Sequence, residues 1–512
     1  SLNAQELWSK MTSSPSGILG SLTSQGQAYY KLNDLQAIHK NNTLKGGAFE
    51  MFILPNEKGT QETFKVVAIP MLSLKLSKKY PGVKTYEGIS NTRPKVRIRL
   101  SSHPNGINAW IKLPGTQDFF IQTVKGEKQF HYTYSKTDEN LSQALLCKTN
   151  ISSHNSKNIG HTAKIISKKN QLKTFRIAIA TTAEFTDFWG DNDDGNGTNT
   201  ADALGAVIST LNRISSVFED ELGVRLQLVS DETILYEDPV TDPFTGSFGD
   251  ELQVTLDETI GNDNYDVGHL FDYGQPDGDA GCIGCVCASA RKGSGYSTHP
   301  FRDVFGGEYR NDYFDLDYAA HEIGHQFGAL HSFSFDSEGT GFNAEPGSGS
   351  TIMAYAGIAG EDNVQLHGDP YFHYYSIQNI LEQLPTFQCA STENNSFPAF
   401  TVDAGIDYSI PIGTAYELSP ANVESESGST YCWEQLDSGQ VTSASFGPYN
   451  AIGALARSHT PSESPTRTLP NMNQILLGNL TQENPGLDDA WETVPLVARS
   501  MKWGLSVRKP VG

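Results

Sequence analysis

The sequence predicts an α+β protein of three domains. Residues 1–170 form a β-rich domain, residues 171–392 a mixed α/β domain, and residues 393–512 a β-sandwich of immunoglobulin-like type. Three observations support this prediction. A chain of 512 residues is too long for one hydrophobic core. Its 38% of hydrophobic residues is ample for globular folding. Strand-like patterns fill both ends, whereas a strand–helix–strand order opens the middle.

The first domain carries two clear strand patterns, at residues 64–69 and at residues 96–100, where polar and apolar residues alternate. Residues 150–170 are rich in Ser, Asn and Lys, lack acidic residues and contain the dibasic pair Lys168 and Lys169. This composition indicates a linker and a candidate processing site. A stretch of solvated charge without further role is the alternative interpretation.

The second domain opens with an apolar strand at residues 175–180 and continues with an amphipathic helix at 199–222 and a strand at 224–229. Between them lies the acidic stretch 191–197. A Ca²⁺ ion is one candidate ligand for its oxygens, but the register of an EF-hand places Ala203 where a bidentate Glu is required. A plain acidic turn is therefore favoured over calcium binding.

The third domain follows a linker near residues 393–398. Short alternating runs, such as residues 408–412 and 503–507, are separated by Gly, Pro and Ser, which predicts the β-sandwich. A structural spacer is the favoured role of this domain, and carbohydrate or protein binding is the alternative.

Charge is distributed unevenly along the chain, whose net charge is −22. Residues 1–173 carry 24 Lys and Arg against 10 Asp and Glu, a net charge of +14, so the remainder carries −36. A basic segment often binds nucleic acid or an anionic membrane. Here the acidic remainder of the same chain is the more economical partner, so we expect no nucleic-acid partner.

The six cysteines would fit two or three disulfides in an oxidising compartment. The spacing of Cys282, Cys285 and Cys287 also resembles a metal cluster, but no second Cys/His group has matching spacing. The sequence has no apolar run of 18 residues, so we expect no membrane span. It opens with Ser1 and without a leader, and we expect a secreted, extracellular protein whose signal peptide has been removed.

One stretch carries the chemistry: His321-Glu-Ile-Gly-His325-Gln-Phe-Gly-Ala-Leu-His331. On a helix, residues 321 and 325 share a face, and neutral imidazoles at this spacing suit Zn²⁺. Gly328 allows the helix to end and the chain to turn, which brings His331 back as a third ligand. Three protein ligands leave one position for water, as in catalytic sites, and Glu322 is placed to take a proton from that water.

Downstream, Met353 lies in the run Ser-Gly-Ser-Thr-Ile-Met-Ala-Tyr at residues 348–355. By itself such a methionine would be ordinary core packing. After the extended histidine motif, it resembles the Met-turn of the metzincin clan of zinc metalloproteases. The resemblance implies that the three histidines bind zinc, that Glu322 is the general base, and that Met353 packs beneath the ligands.

Within the clan, the surroundings look most like a bacterial reprolysin-like group, on the segments 265–269, 284–287 and 369–373. Residues 283–290 resemble the clan's edge strand, which pairs with an extended peptide substrate. In animal reprolysins, a cysteine at the position of Cys287 pairs with one near the end of the domain, where Cys389 stands here.

Two departures from animal reprolysins matter. Ser332 stands where they carry Asp, immediately after the third histidine. Tyr355 follows the Met-turn methionine by two residues, as in astacins and serralysins, where a phenol lies at the metal. Tyr355 is therefore a candidate catalytic residue that would stabilise the oxyanion, and a packed core tyrosine is the alternative.

Together these features predict a secreted zinc endopeptidase in zymogen form that acts on protein or peptide substrates. Two alternatives remain open: a zinc hydrolase of non-peptide amides, and a non-enzymatic adhesion or binding protein with a vestigial zinc site. The first domain is expected to be an inhibitory prodomain. Its single cysteine, Cys147, is the candidate thiolate that blocks the metal, although it lacks the glycine that follows the switch cysteine in reprolysin prodomains. An acidic side chain or the backbone is the alternative blocking group.

Overall fold

The structure, a computed structural model, describes residues 7–12, 28–33, 49–104, 106–136, 147–149, 171–190, 198–229, 232–301, 309–336, 342–394, 401–423 and 428–509. The predicted linker at 150–170 and the acidic stretch 191–197 lie outside these residues. Of the linker predicted near 393–398, residues 395–398 also lie outside them, whereas residues 393–394 are the end of the strand Ser391–Asn394. The described chain contains a β-rich first part and a mixed α/β second part, as the sequence predicts. Among the described helices, none combines the length and apolar character needed to cross a bilayer.

The first part is one antiparallel sheet of nine strands in the order β1-β2-β9-β8-β7-β6-β5-β4-β3. Alternation gives each strand two faces: Ile98 and Leu100 enter a core on one side, while Arg97 and Arg99 point toward the second part. The strands are β1 (Trp8–Lys10), β2 (Ala28–Leu32), β3 (Glu50–Pro55), β4 (Gln61–Ile69), β5 (Lys84–Ser90), β6 (Arg97–His103), β7 (Gly106–Lys112), β8 (Phe119–Val124) and β9 (Glu127–Ser135), with helix α1 (Leu74–Lys79) between β4 and β5.

The second part is a mixed sheet in the order β11-β10-β12-β14-β13, with β15 also paired to β10. Strands β10, β11, β12 and β14 are parallel, whereas the edge strand β13 runs antiparallel to β14. The elements are β10 (Gln171–Thr181), α2 (Ala183–Trp189), α3 (Asn199–Leu222), β11 (Val224–Leu228), α4 (Phe248–Thr259), β12 (Val267–Asp272), β13 (Asp277–Asp279), β14 (Gly295–Thr298), α5 (Ala320–Gln326), α6 (Tyr374–Gln383) and β15 (Ser391–Asn394).

Helix α3 is confirmed at its predicted position. The Thr198 hydroxyl accepts from Ala201 N at its start, and Gly223 ends it in the left-handed conformation at φ 67°. The helix is buried along most of its length because two layers cover it: its apolar residues join the core of the second part, and its polar residues meet β6 of the first part.

The contact between α3 and the first part is rich in ion pairs. Asp220 forms ion pairs with Arg97 Nη2 at 2.9 Å and with Lys112 Nζ at 2.7 Å. Glu219 forms an ion pair with Arg99 Nη2 at 2.9 Å. These cations pull the pKa of both carboxyls below their ordinary values against the opposing effect of burial. The basic first part therefore contacts the acidic remainder of the chain, which is the partner that the charge distribution favours.

The predicted immunoglobulin-like sandwich at the C-terminal end is not confirmed. The described residues beyond 400 form three separate two-stranded sheets, and residues 408–412 are no strand: Tyr408 is 80% exposed and has no opposing sheet to cover it. Residues 503–507 do lie in a strand. The elements are β16 (Val402–Asp403), β17 (Tyr416–Leu418), β18 (Asn422–Val423), β19 (Thr430–Gln435), β20 (Arg467–Leu469), α7 (Met472–Leu477) and β21 (Trp503–Arg508).

Two disulfides tie the second part. Cys287 and Cys389 are bonded with Cα atoms 5.7 Å apart, as the family resemblance implies, and Cys282 pairs with Cys285. The interpretation of residues 283–290 as the edge strand is wrong. This segment is a series of turns, because the short 282–285 disulfide and the positive φ of Cys287 prevent extended backbone there. The edge strand is β13, at Asp277–Asp279.

Candidate active site

Helix α5 presents the histidine motif. A π-helical segment, Tyr313–Ala319, leads directly into α5, and the last helical residue is Gln326. Gly328 then adopts φ +106°, which a residue with a Cβ would adopt only with strain. A Cβ at this position would also lie 2.7 Å from Gln383 Cγ. The helix therefore ends and turns where the sequence predicts.

The turn brings three imidazoles together. His321 Nε2 lies 3.2 Å from both His325 Nε2 and His331 Nε2, and the last two are 3.0 Å apart. All three side chains are fully buried. Tetrahedral zinc with Zn–N bonds of about 2.0–2.1 Å separates its nitrogen ligands by about 3.3 Å, so the observed triangle has nearly the dimensions of such a site.

The protonation of these rings also fits a metal. His321 Nδ1 lies 2.7 Å from Ile352 O, and His325 Nδ1 lies 2.8 Å from Ala329 O. A carbonyl only accepts, so each Nδ1 carries the proton and each Nε2 presents a lone pair. Burial lowers the pKa of His321 to about 3 and that of His325 well below its ordinary value. Convergent neutral nitrogens of this kind hold a divalent cation such as zinc.

Glu322 is buried beside the three histidines. Burial raises the pKa of its carboxyl to about 8, and the carboxylates of Asp279 and Asp277 act in the same direction. Its Oε2 accepts from Thr149, whereas Oε1 has no hydrogen-bond partner within the described residues. Gly278 of the edge strand leaves room for this oxygen, since a Cβ there would lie 2.6 Å from Oε1. Thr149 therefore engages one oxygen of a carboxyl whose raised pKa lets it hold a proton near neutral pH.

Met353 packs beneath the histidine helix. It is fully buried, and a Cβ built on Gly324 would lie 2.7 Å from its sulfur, so the glycine between the first two histidines permits the close approach. The turn also contacts both ends of the motif through its backbone: Ile352 O accepts from His321, and Met353 O accepts from Ser332 N at 3.1 Å.

Tyr355 lies beside the same cluster. Its ring centroid is 4.5 Å from that of His331 and 5.9 Å from that of His321, and the ring stacks on Phe333 at 4.4 Å. The half-buried ring is therefore near two of the three imidazoles rather than distant in the core.

Residues 147–149 lie across the mouth of the site. Cys147 pairs with Gly278 in a parallel bridge, and Lys148 N donates to Gly278 O at 2.7 Å. The Cys147 sulfur is 3.9 Å from His325 Nε2, and the sulfur and the three histidine nitrogens all lie within 4.8 Å of one another. A zinc ion with three nitrogens and one sulfur at their usual bond lengths would need an N–S separation of about 3.6 Å, and the separation from His325 Nε2 is close to that value.

Sequence reasoning missed the partner of Glu322. Thr149 Oγ1 lies 2.8 Å from Glu322 Oε2 and 2.8 Å from Ala280 N, so it donates to the carboxylate and accepts from the edge of the sheet. The signal was available: residues 147 and 149 of an extended segment lie on one face, so a strand that aims the cysteine at the metal also aims the threonine into the site. Lys148 points elsewhere and pairs with Asp277.

Three converging imidazole nitrogens, a buried carboxyl at their side and a sheet edge beside them define the class of this site as a hydrolytic metal centre. The comparison with known families agrees: residues 171–384 match the model described as Metallo-peptidase family M12B Reprolysin-like. The chain thus contains a reprolysin-like metzincin domain and is a zinc metalloendopeptidase. No curated protein matches the chain.

Proposed function

We propose that the chain is the latent precursor of a secreted, bacterial-type zinc endopeptidase. Residues 171–392 are its catalytic domain, residues 1–170 its inhibitory prodomain and residues 393–512 an accessory domain. Secretion is supported by the two disulfides, which persist in oxidising compartments.

In this proposal, His321, His325 and His331 hold the zinc ion. When bound, zinc supplies Lewis-acid activation of the scissile carbonyl and of water. The backbone carbonyls that accept from Nδ1 of His321 and His325 hold those rings in the tautomer that binds metal. Met353 forms the apolar floor that keeps the helix and the third ligand in register.

Glu322 is the general base of the proposed reaction. Its free Oε1 accepts a proton from the attacking water, and the same carboxyl then gives that proton to the leaving amine. Tyr355, whose ring lies against His331, donates a hydrogen bond from its phenol to the developing oxyanion and keeps its proton. The edge strand β13 pairs with the extended backbone of the substrate once residues 147–149 have left it.

The observation that carries the proposal of latency is the placement of residues 147–149. Cys147 directs its sulfur at the three histidines, and Thr149 occupies one oxygen of Glu322. Both features would have to be undone before water and substrate could reach the site. The cysteine count supports this role as well. Two disulfides use four cysteines, and the structure leaves Cys147 and the buried Cys432 as thiols. Burial raises the pKa of the Cys147 thiol, so its sulfur would bind as a thiolate only if the metal displaces the proton.

The test compares the intact chain with the chain cleaved near residue 170, using casein as substrate. The intact chain should be nearly inactive, and cleavage should release an activity that a chelator abolishes and zinc restores. Equal casein hydrolysis by both forms would refute the inhibitory role of residues 1–170. Cys147→Ser isolates the thiolate: unchanged latency in that variant would refute the role of the sulfur but leave a prodomain that acts through Thr149 and docking.

A further inference from the structure

The segment that carries the third histidine is tied to the rest of the site through the residue after it. Ser332, the residue after His331, stands where animal reprolysins carry an aspartate. A serine hydroxyl at this position cannot supply the negative charge that an aspartate would bring to the donors of the Met-turn. The structure nevertheless has a carboxylate at this place, and it comes from Glu345, fourteen residues beyond His331.

Glu345 is 1% exposed, and its carboxylate bridges two segments. Its Oε1 accepts from the hydroxyl of Ser332 at 2.6 Å and from the hydroxyl of Thr351 at 2.5 Å. Its Oε2 accepts from Ser350 N at 2.9 Å and from Thr351 N at 3.3 Å. Every one of these partners donates, so the site requires an acceptor with several lone pairs, which an ionised carboxylate provides.

The backbone completes the same connection. Glu345 N donates to Ser332 O at 2.9 Å, and Phe333 and Glu345 form a parallel bridge. On the other side, Thr351 is two residues before Met353, whose carbonyl accepts from Ser332 N. The chain thus runs from His331 through Ser332 to Glu345, and from Glu345 to the turn that contains Ile352 and Met353.

We propose that Glu345 is a positioning residue of the metal site: its carboxylate locks the segment that carries His331 to the Met-turn, so that the third imidazole meets the first two. Animal reprolysins carry an acidic residue at the position of Ser332. In this chain, Glu345 supplies the carboxylate at that place instead. The inference rests on the three-histidine site of the proposed function.

The geometry offers a rescue experiment. In Ser332→Asp, the carboxyl carbon takes roughly the place of the serine hydroxyl, and its oxygens reach about 1.2 Å further toward Glu345. Since the serine oxygen lies only 2.6 Å from Glu345 Oε1, both carboxylates cannot fit together. With Glu345→Ala, the aspartate oxygen instead falls close to the vacated position of Oε1 and within reach of the Thr351 hydroxyl.

Three readouts on the full chain, after cleavage near residue 170, separate positioning from bulk stability. They are the rate at which a chelator removes zinc, the visible absorption spectrum of the cobalt-substituted protein, and the thermal midpoint of the metal-free protein. Glu345→Ala should speed zinc loss about 10–100-fold and alter the cobalt spectrum, since partners of metal ligands have effects of this size. Ser332→Asp alone should lose zinc faster than the wild type. The double variant Ser332→Asp/Glu345→Ala should recover most of the zinc retention.

Controls decide the result even if Glu345→Ala folds poorly. Ser332→Ala deletes only the hydroxyl that joins the third-ligand segment to the Glu345 carboxylate, and it should speed zinc loss without a large change in the metal-free thermal midpoint. Glu361→Ala, at an exposed glutamate of the short 3-10 helix Gly360–Asp362, should change none of the readouts. The inference is overturned if Ser332→Ala and Glu345→Ala retain zinc and the cobalt spectrum of the wild type, or if the double variant is no better than Glu345→Ala. A wild-type protein that binds no metal at the histidines would overturn the proposed function as well.

Discussion

Thr149→Val tests whether the Thr149 hydroxyl, which contacts the proposed general base Glu322, holds residues 147–149 in the site. The substitution keeps the shape of the side chain but removes its hydroxyl, which donates to Glu322 Oε2 and accepts from Ala280 N, each at 2.8 Å. Both contacts exist only while residues 147–149 lie in the site. The substitution should therefore favour the state in which this segment has left.

The size of the effect follows from the two contacts. A hydrogen bond contributes about 0.5–1.5 kcal/mol, and a buried N–H left without a partner costs about 1–3 kcal/mol. Ala280 is fully buried and Thr149 is 8% exposed, so solvent does not replace either contact in the closed state. We take a loss of about 3 kcal/mol, which shifts the equilibrium between closed and open segments by about 150-fold.

The assay measures peptide hydrolysis by the uncleaved full-length chain, relative to the same protein after cleavage near residue 170. Thr149→Val should raise the relative activity of the uncleaved form by about a hundredfold. Thr149→Ser, which keeps the hydroxyl, is the matched control and should remain close to wild type. The cleaved forms of all three proteins should have equal activity, because the segment no longer contacts the site.

Two results would refute this reasoning. If uncleaved Thr149→Val is as latent as the wild type, the hydroxyl contributes nothing to closure. If Thr149→Ser is released as much as Thr149→Val, the loss comes from packing rather than from hydrogen bonding. Combination with Cys147→Ser should increase the release further, since the sulfur and the hydroxyl contact different groups of the site.

Four further predictions concern single side chains. Glu322→Gln should retain zinc but lose at least about a hundredfold in kcat, measured on the cleaved enzyme, because no base remains; near-normal turnover would reject the role. Tyr355→Phe should lower kcat with less effect on KM. A variant with a raised KM and an unchanged kcat would contradict a role in oxyanion binding. Cys389→Ser, which removes the bond to Cys287 across a separation of 102 residues, should cost about 2–4 kcal/mol of stability, measured as a lower thermal midpoint. Burial lowers the pKa of His103 to about 4, so as pH falls below about 6.5 the unfolded chain takes up the proton before the folded protein does and the stability of the fold decreases. The difference in unfolding free energy between wild type and His103→Gln should therefore shrink by about 2 kcal/mol from pH 7 to pH 5. A difference that calorimetry finds constant over this range would exclude the titration.

The sequence by itself determined the features that depend on neighbours along the chain. A spacing of four residues places His321 and His325 on one face of any helix, and a glycine at residue 328 ends that helix at low cost. The long helix α3 was predictable for the same reason, since its apolar period extends over more than 20 residues. Length and regularity make such patterns readable without knowledge of the fold.

Only the tertiary structure decided which segment forms the edge of the cleft. The resemblance pointed to residues 283–290, whereas β13 lies at Asp277–Asp279, and a three-residue strand carries too little periodicity to be recognised. The region beyond residue 400 shows the opposite error, since a strand was predicted there and none forms at residues 408–412. Its alternating runs fit strands, yet among the described residues no sheet covers Tyr408 and its neighbours, and burial rather than alternation decides whether such a run becomes a strand.

The contacts around the site were decided in the same way. Thr149 meets Glu322 across 173 residues, and Glu345 joins the segment after His331 to the Met-turn through side chains that share no motif. The identity of a metal ligand follows from chemistry and local spacing, so the sequence could predict it. The identity of the group that holds a ligand in place depends on which distant segment the fold brings within 3 Å, and no local period records that distance.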